Sequence, residues 1–411
     1  MSSLRADADH IIAAALAAAQ PDRAVQTALT GRQLGCGRLY MLSIGKAGWQ
    51  MAKAACDTLG SRIAQGIVIT KYRHGKGALP NTRVFEAGHP VPDANGVAAA
   101  QEAIRMVRGL TAEDTVLFLV SGGGSALFEK PLVPLKTLED ISRQLLKSGA
   151  DITQMNVIRK RLSAVKGGRF ALLCAPARVL TIALSDVLGD DPATIASGPA
   201  VPDLSTSADA LAIAKQYSLA LDGETLRLLS QETPKTLQNV ETVVAGSVRH
   251  LCAAAADTCK ALSYEPVLLT NSLCCTARDA GSFLASVAHT HQDSDRSLAY
   301  IAGGETVVRL TGSGLGGRNQ ELALAAAIGL DGLKDTALFS VGSDGTDGPT
   351  DAAGGYVDAR TAQTLREKAV DLQKTLDDND SYHALSACGG LIVTGPTGTN
   401  VNDLTVLLIK R

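Results

Sequence analysis

Val116-Leu-Phe-Leu-Val120, followed at once by Ser121-Gly-Gly-Gly-Ser125, is an unbroken apolar run ending in a glycine-rich turn. A strand with one wet face alternates apolar and polar residues, whereas a run apolar throughout belongs to a strand covered on both faces. Such strands lie in parallel sheets, with helices on both sides. The same unit recurs along the chain. Runs rich in Val, Ile and Leu read as strands at 39–44, 66–70, 115–120, 179–184, 242–245, 265–269, 298–302, 337–341 and 404–409. Helical stretches separate them, among them 47–59 and 96–109, and Thr137-Leu-Glu-Asp140 has the capping-box pattern that opens a helix.

The expected fold is α/β, with two domains, each a mostly parallel sheet flanked by helices. At 411 residues the chain exceeds what a single core usually spans. The polar stretch 219–238, which contains Glu232-Thr-Pro-Lys235, sets the boundary. That gives an N-terminal Rossmann-like domain over 1–238 and a C-terminal α/β domain over 239–411. Charged residues are 19% and the net charge is −2, so no basic surplus points to nucleic acid. No apolar run reaches the roughly 20 residues of a membrane span, and acids replace the cationic start of a signal peptide. The expectation is a cytoplasmic protein with no membrane partner. Eight cysteines without a Cys-x-x-Cys pair read as reduced thiols.

In open α/β sheets, ligands bind outside the carboxyl ends of the strands. This chain places glycines and charges at those ends. Ser43-Ile-Gly45-Lys46 offers a tight turn and a point charge for phosphate, though no Walker A loop occurs. Ser121, Gly122, Gly123, Gly124 and Ser125 can turn amides inward as an anion nest flanked by hydroxyls. Met155, Ile158, Leu162 and Val165 form a buried helical stripe. Beside it Asn156, Lys160 and Ser163 either approach the same crevice or form a solvated basic face.

Ser185-Asp186-Val-Leu-Gly-Asp190-Asp191 puts carboxylates past a strand, suited to a divalent cation or to a base, with Asp191 as a turn cap. Gly312-Ser-Gly-Leu-Gly-Gly317 is a weak dinucleotide fingerprint. Arg318, at the helix start behind it, can balance phosphoryl charge. Gly304, Glu305 and Asn319 join the phosphate-binding set. Gly342-Ser-Asp344-Gly-Thr-Asp347-Gly348 reads as a catalytic or Mg²⁺ loop; as a calcium loop it lacks the closing Glu.

Several of these stretches also carry a resemblance. Ser43-Ile-Gly-Lys-Ala47, Gly88-His-Pro-Val-Pro-Asp93, Val120-Ser-Gly-Gly-Gly-Ser-Ala126, Ser185-Asp-Val-Leu-Gly-Asp190 and Ala196-Ser-Gly-Pro199 resemble glycerate 2-kinases of the MOFRL-domain family. So do Gly303-Gly-Glu-Thr306, Gly316-Gly-Arg-Asn-Gln-Glu-Leu322, Gly342–Gly348 and Thr397-Gly-Thr-Asn-Val-Asn-Asp403. The resemblance spans nearly the whole chain. It implies transfer of phosphate from ATP, with Mg²⁺, to the 2-hydroxyl of D-glycerate. It also implies a site in the cleft between two domains, a MOFRL region in the C-terminal domain, and central roles for Lys46, Arg318 and Asp344. Asp186 and Asp344 divide the roles of base and metal ligand, with Asp190 and Asp347 as further metal candidates. A homodimer is one option for the assembly. The rival readings are an NAD(P)-dependent hydroxypyruvate reductase and a non-catalytic sugar-phosphate-binding regulator.

Overall fold

A computed structural model describes residues 3–411. The chain divides into two compact units, Pro21–Ala245, and Gly246–Arg411 together with Met1–Gln20. In the first unit β1 (Leu39–Ile44), β2 (Ile63–Lys71), β3 (Thr82–Ala87), β4 (Thr115–Val120), β5 (Arg178–Leu184) and β6 (Val240–Gly246) form one sheet. Its order is β3-β2-β1-β4-β5-β6. β1 pairs in parallel with β2 and β4, and β3 and β5 extend the sheet in the same sense. The order reverses between β1 and β4, the switch point at which doubly wound sheets open a crevice. β4 is buried along its whole length, as its apolar run requires. On one face Phe118 packs on Phe128 and Phe170, with ring centroids 6.1 and 5.0 Å away. On the other, Leu117 and Leu119 join Met41, Met51 and Ile182.

In the second unit β7 (Glu265–Leu273), β8 (Leu298–Gly304), β9 (Thr336–Gly342), β10 (Gly354–Asp358), β11 (Leu391–Ile392) and β12 (Asp403–Ile409) follow the order β11-β10-β9-β12-β8-β7. β7, β8, β9 and β11 run one way. β12, between β8 and β9, and β10, between β9 and β11, run against them, so every pairing except β7–β8 is antiparallel. The physical reason is the connection. β11 finishes at the same end of the sheet at which β12 starts, so the loop 393–402 need not travel the length of the sheet, as a parallel return would. Asp403, the first residue of β12, therefore lies opposite Gly304 and Gly342, the last residues of β8 and β9.

Sequence reading did not foresee β3, β10 and β11. β3 is a half-exposed edge carrying Arg83 and Glu86, β10 opens on two glycines, and β11 has two residues. The helices Gly48–Leu59 and Ala94–Met106 lie where expected, give or take a turn. The capping box at Thr137 does not form. That helix starts earlier, at Leu135, behind Pro134, which needs no amide of its own. A capping box does form at Asp151 with Gln154, opening the helix Ile152–Arg161. Among the described residues no helix is long and apolar enough to cross a membrane.

The helix Ser3–Ala18 buries Ile11, Ile12 and Ala15 against Val248, Leu251 and Phe339 of the second unit. The chain thus passes between units twice, after Gln20 and after Ala245, whereas the sequence reading draws one boundary after 238. An amphipathic stripe announces that it must be covered, not which sheet will cover it. Ile11 is fully buried. Replacing it with alanine should cost about 2–4 kcal/mol and lower the unfolding transition of the Gly246–Arg411 unit, read by urea titration with hydrogen-exchange mass spectrometry. Equal loss of protection in Pro21–Ala245 would contradict this assignment.

Candidate active site

At the switch point of the first unit the turns after β1 and β4 are stitched together. Gly45 has a φ of 109°, and a Cβ there would stand 2.2 Å from Ser121 Oγ, so only glycine fits. Ser121 Oγ accepts from the Ala47 amide at 3.1 Å and donates to the Ile44 carbonyl at 3.2 Å. The Lys46 amide donates to the Gly122 carbonyl at 2.9 Å. Because these amides are spent, Lys46 offers a ligand its ammonium alone. The Gly122 and Gly123 amides donate to no other backbone group among the described residues. They remain available to an anion.

Two further groups face this turn. Asp186 Oδ2 lies 2.3 Å from where a Gly122 Cβ would be. Burial raises the Asp186 pKa, with its own backbone amide and the Lys46 charge opposing. The His89 ring stands against Gly123, whose Cβ would meet His89 Cδ2 at 2.9 Å and Lys46 Cγ at 3.3 Å. Burial first, then the charges of Lys46, Lys71 and His74, push the His89 pKa below its ordinary value, so its imidazole is neutral near pH 7.

The other residues expected at this end do different work. Ser125 Oγ lies 3.1 Å from Ser197 Oγ, which donates to Asn156 Oδ1 at 2.9 Å. Lys160 pairs with buried Asp203 at 3.2 Å. Asn156, Lys160 and Ser163 are all buried, so the alternative of a solvated basic face is corrected. Asp191 accepts from the Ala193 amide and the Thr194 hydroxyl, as a turn cap does. Asp190 sits in a left-handed turn with a φ of 57°.

In the second unit Arg318 opens the helix Arg318–Leu330. Its Nε and Nη2 donate to Asp403 Oδ2 and Oδ1 at 2.5 and 2.9 Å, a bidentate fork. Nη1 lies 3.1 Å from Glu305 Oε1. Burial works against the guanidinium charge, but the hydrogen bonds and charge of Asp403, with Glu305 and Asp347, more than offset it and raise the Arg318 pKa. Gly304 passes so close to β7 that a Cβ would stand 2.2 Å from the Leu273 carbonyl oxygen. Asp344 accepts from the Thr346 amide and hydroxyl through Oδ1, at 3.0 and 3.1 Å. Its other oxygen accepts no hydrogen bond among the described residues.

Asp347 differs from Asp344. Its two oxygens accept from the Asn319 and Gln320 amides at 3.1 and 2.9 Å, capping the Arg318 helix from outside. Gly317 leaves the room: a Cβ there would stand 2.3 Å from Asp347 Cγ. The expectation that Asp347 ligates a metal is therefore corrected, because its lone pairs are committed to a helix end. The Asn319 side chain is committed too, its Oδ1 accepting from Ser340 Oγ at 2.6 Å. Among the described residues no three His, Cys, Asp or Glu side chains are placed to hold a metal.

Most of the Gly312–Gly317 loop is closed to a pyrophosphate. The amides of Gly312, Ser313, Gly314 and Leu315 already donate to Asn379, Asp378 and Asp380. Its glycines let two backbones touch: a Gly312 Cβ would lie 2.3 Å from Asp378 Cα.

Sequence reading missed Asp403 and His89 as site residues. The signals were an acid heading an otherwise apolar strand, and a histidine inside Gly88-His-Pro-Val-Pro-Asp93.

A family model described as a domain of unknown function (DUF4147) matches residues 7–230, and the MOFRL family model matches 298–403. The D-glycerate 2-kinase of Thermotoga maritima is 49% identical, covering 99% of each chain. A protein of Agrobacterium vitis named as a proposed hydroxypyruvate reductase is 40% identical, covering 97% of this chain and 93% of its own. The crystal structure of the glycerate kinase from Thermotoga maritima superposes with a TM-score of 0.96 at 49% identity over all of both chains. With its two matched regions in this order and full-length identity of this size, the chain belongs to the MOFRL-containing glycerate kinase family.

Proposed function

We propose that this chain transfers the γ-phosphoryl group of ATP to the 2-hydroxyl of D-glycerate, giving 2-phosphoglycerate. Beside the full-length likeness to a D-glycerate 2-kinase, one observation carries the reading. Lys46, the open Gly122 and Gly123 amides and a buried carboxylate converge at the switch point of the first sheet. Phosphoryl transfer asks a protein chiefly for positioning and charge neutralisation. The amides and the Lys46 ammonium supply both for an oxyanion, and neutral His89 adds a hydrogen-bonding group at its edge.

Asp186 is the base. Burial holds its pKa up, toward the range in which a carboxylate can accept the 2-hydroxyl proton. Arg318 steadies charge on the transferring group. Asp403 grips it from behind, whereas Glu305, about half exposed, is the partner a phosphoryl oxygen can replace. Mg²⁺ prefers oxygen ligands, keeps several waters and needs only one or two carboxylates beside phosphates. The Asp344 oxygen that accepts no hydrogen bond among the described residues fits that demand. Bound there, Mg²⁺ would neutralise phosphate charge. Eight free thiols suit a reducing compartment and support a cytoplasmic location.

The reductase reading loses part of its sequence support, because four amides of its fingerprint loop, those of Gly312 to Leu315, are spent within the chain. Acids beside the site count against a passive phosphate binder.

Phosphorus NMR of ATP, Mg²⁺ and D-glycerate with the purified protein should show 2-phosphoglycerate. Lys46→Ala should lower kcat/KM by about 100-fold or more, the scale of one charged donor lost from a transition state. Steady NADH consumption with hydroxypyruvate and no ATP would refute the kinase.

Asp403→Asn keeps the shape of the fork but removes its charge. It should lower kcat/KM by about 10-fold or more, and Arg318→Lys, which cannot form the fork, should lose at least as much. Wild-type rates in both would remove Arg318 from the chemistry.

A base must be ionised to act. The acid limb of the kcat/KM profile should therefore lie above the ordinary aspartate value of about 3.9, with activity falling as pH drops through it. Asp186→Asn should abolish that limb along with most activity, while a limb unmoved in Asp186→Asn would reassign the base.

A further inference from the structure

Behind the glycine-rich turn, Ala196, Ser197 and Gly198 form a left-handed turn, with φ values of 52°, 62° and 64°. Two successive non-glycine residues stay in that region only where their surroundings over-determine it. The surroundings here are the turn after β4 on one side and the Gly167-Gly168 turn on the other. The Ala196 methyl packs on Gly124, where a Cβ would stand 2.8 Å from it. The Ser197 and Gly198 carbonyls accept from the Gly167 and Gly168 amides at 3.1 and 2.8 Å. Ser197 itself is fully buried.

Its hydroxyl links two residues the sequence reading took for ligand contacts. Ser197 has one proton, and it goes to Asn156 Oδ1. The bond between Ser197 and Ser125 is therefore donated by Ser125. From the other side, the buried Lys166 ammonium donates to the Ser125 and Phe128 carbonyls at 2.8 and 3.1 Å, with Glu129 at 3.5 Å as its counter-charge. Ser125 is thus held by its hydroxyl and by its carbonyl, and neither is left to meet a ligand.

We propose that Ser197 is a positioning residue: through Ser125 it fixes the Gly122–Ser125 backbone so that the loop amides meet an oxyanion. This rests on the reading of that loop as an oxyanion site. The oxyanion is either a phosphate of ATP or the carboxylate of glycerate. A glycine would occupy this turn without strain, so the serine costs stability that its hydroxyl must justify.

Ser197→Gly separates the two roles. Relaxing the left-handed turn should leave the melting temperature unchanged or raised. Losing the hydroxyl should raise one KM about tenfold, the scale of one hydrogen bond, with kcat held within about twofold. A rise in the KM for ATP assigns the oxyanion to a phosphate, and a rise in that for D-glycerate assigns it to the carboxylate. Unchanged KM values for both substrates would overturn the proposal. So would a lowered melting temperature with activity lost only in step with the folded fraction.

Ser197→Ala keeps the strained Cβ and should show the same KM shift. Should the wild type not turn over at all, the kinase reading fails first. Calorimetry with inorganic phosphate then tests the loop alone: weaker binding in Ser197→Gly supports the positioning role, and equal binding overturns it.

Discussion

β1 and β4 end so close together that no side chain fits at Gly45, and Ser121 occupies the space one would need. The rest of the first unit's site follows from this approach. The Lys46 and Ala47 amides turn inward to bond the β4 turn, so the lysine side chain is what projects. The β4 turn, held on that side, keeps the Gly122 and Gly123 amides out of the backbone network. Asp186, past the end of the neighbouring β5, is drawn against Gly122 and desolvated there. A larger residue at 45 would part the two turns and scatter all three groups.

Much of this was legible in the chain. Strands buried on both faces announce themselves by unbroken apolar runs, and β1 and β4 fall on the residues so read. The turns that follow them were legible as well, because glycine and charge at a strand's carboxyl end have few other uses. β3 and β10 were not legible, since an edge strand may carry charge and a glycine pair has no hydrophobic signature. Nor was the sense of β12. Its apolar run is equally compatible with either direction, and direction is set by where the preceding loop delivers the chain.

Individual carboxylates were the hardest to sort. Asp344 and Asp347 sit three residues apart in one glycine-rich run, yet they do opposite things. Asp347 lies under a helix start and gives both oxygens to amides, whereas Asp344 spends one oxygen on its own turn. The sequence locates both acids equally well; which oxygen stays open depends on the arrival of a distant helix. The same holds for Lys46 and Lys160. Among the described residues the first has no carboxylate in hydrogen-bonded contact, and the second is pinned to Asp203 inside the unit.

Arg318 shows how topology enters the chemistry. A half-buried guanidinium needs a matched acceptor, and losing one partner of such a pair strands the other. The acceptor is Asp403, 85 positions away in the chain, and it is near only because β12 runs antiparallel between β8 and β9. Were β12 parallel, its first residue would lie at the opposite end of the sheet, roughly 20 Å away at about 3.3 Å per residue. The mixed sheet is thus tied to the site it carries. Reversing one strand delivers a carboxylate to the edge where β8 and β9 present Glu305 and Asp344, and Arg318 has its fork only because of that reversal.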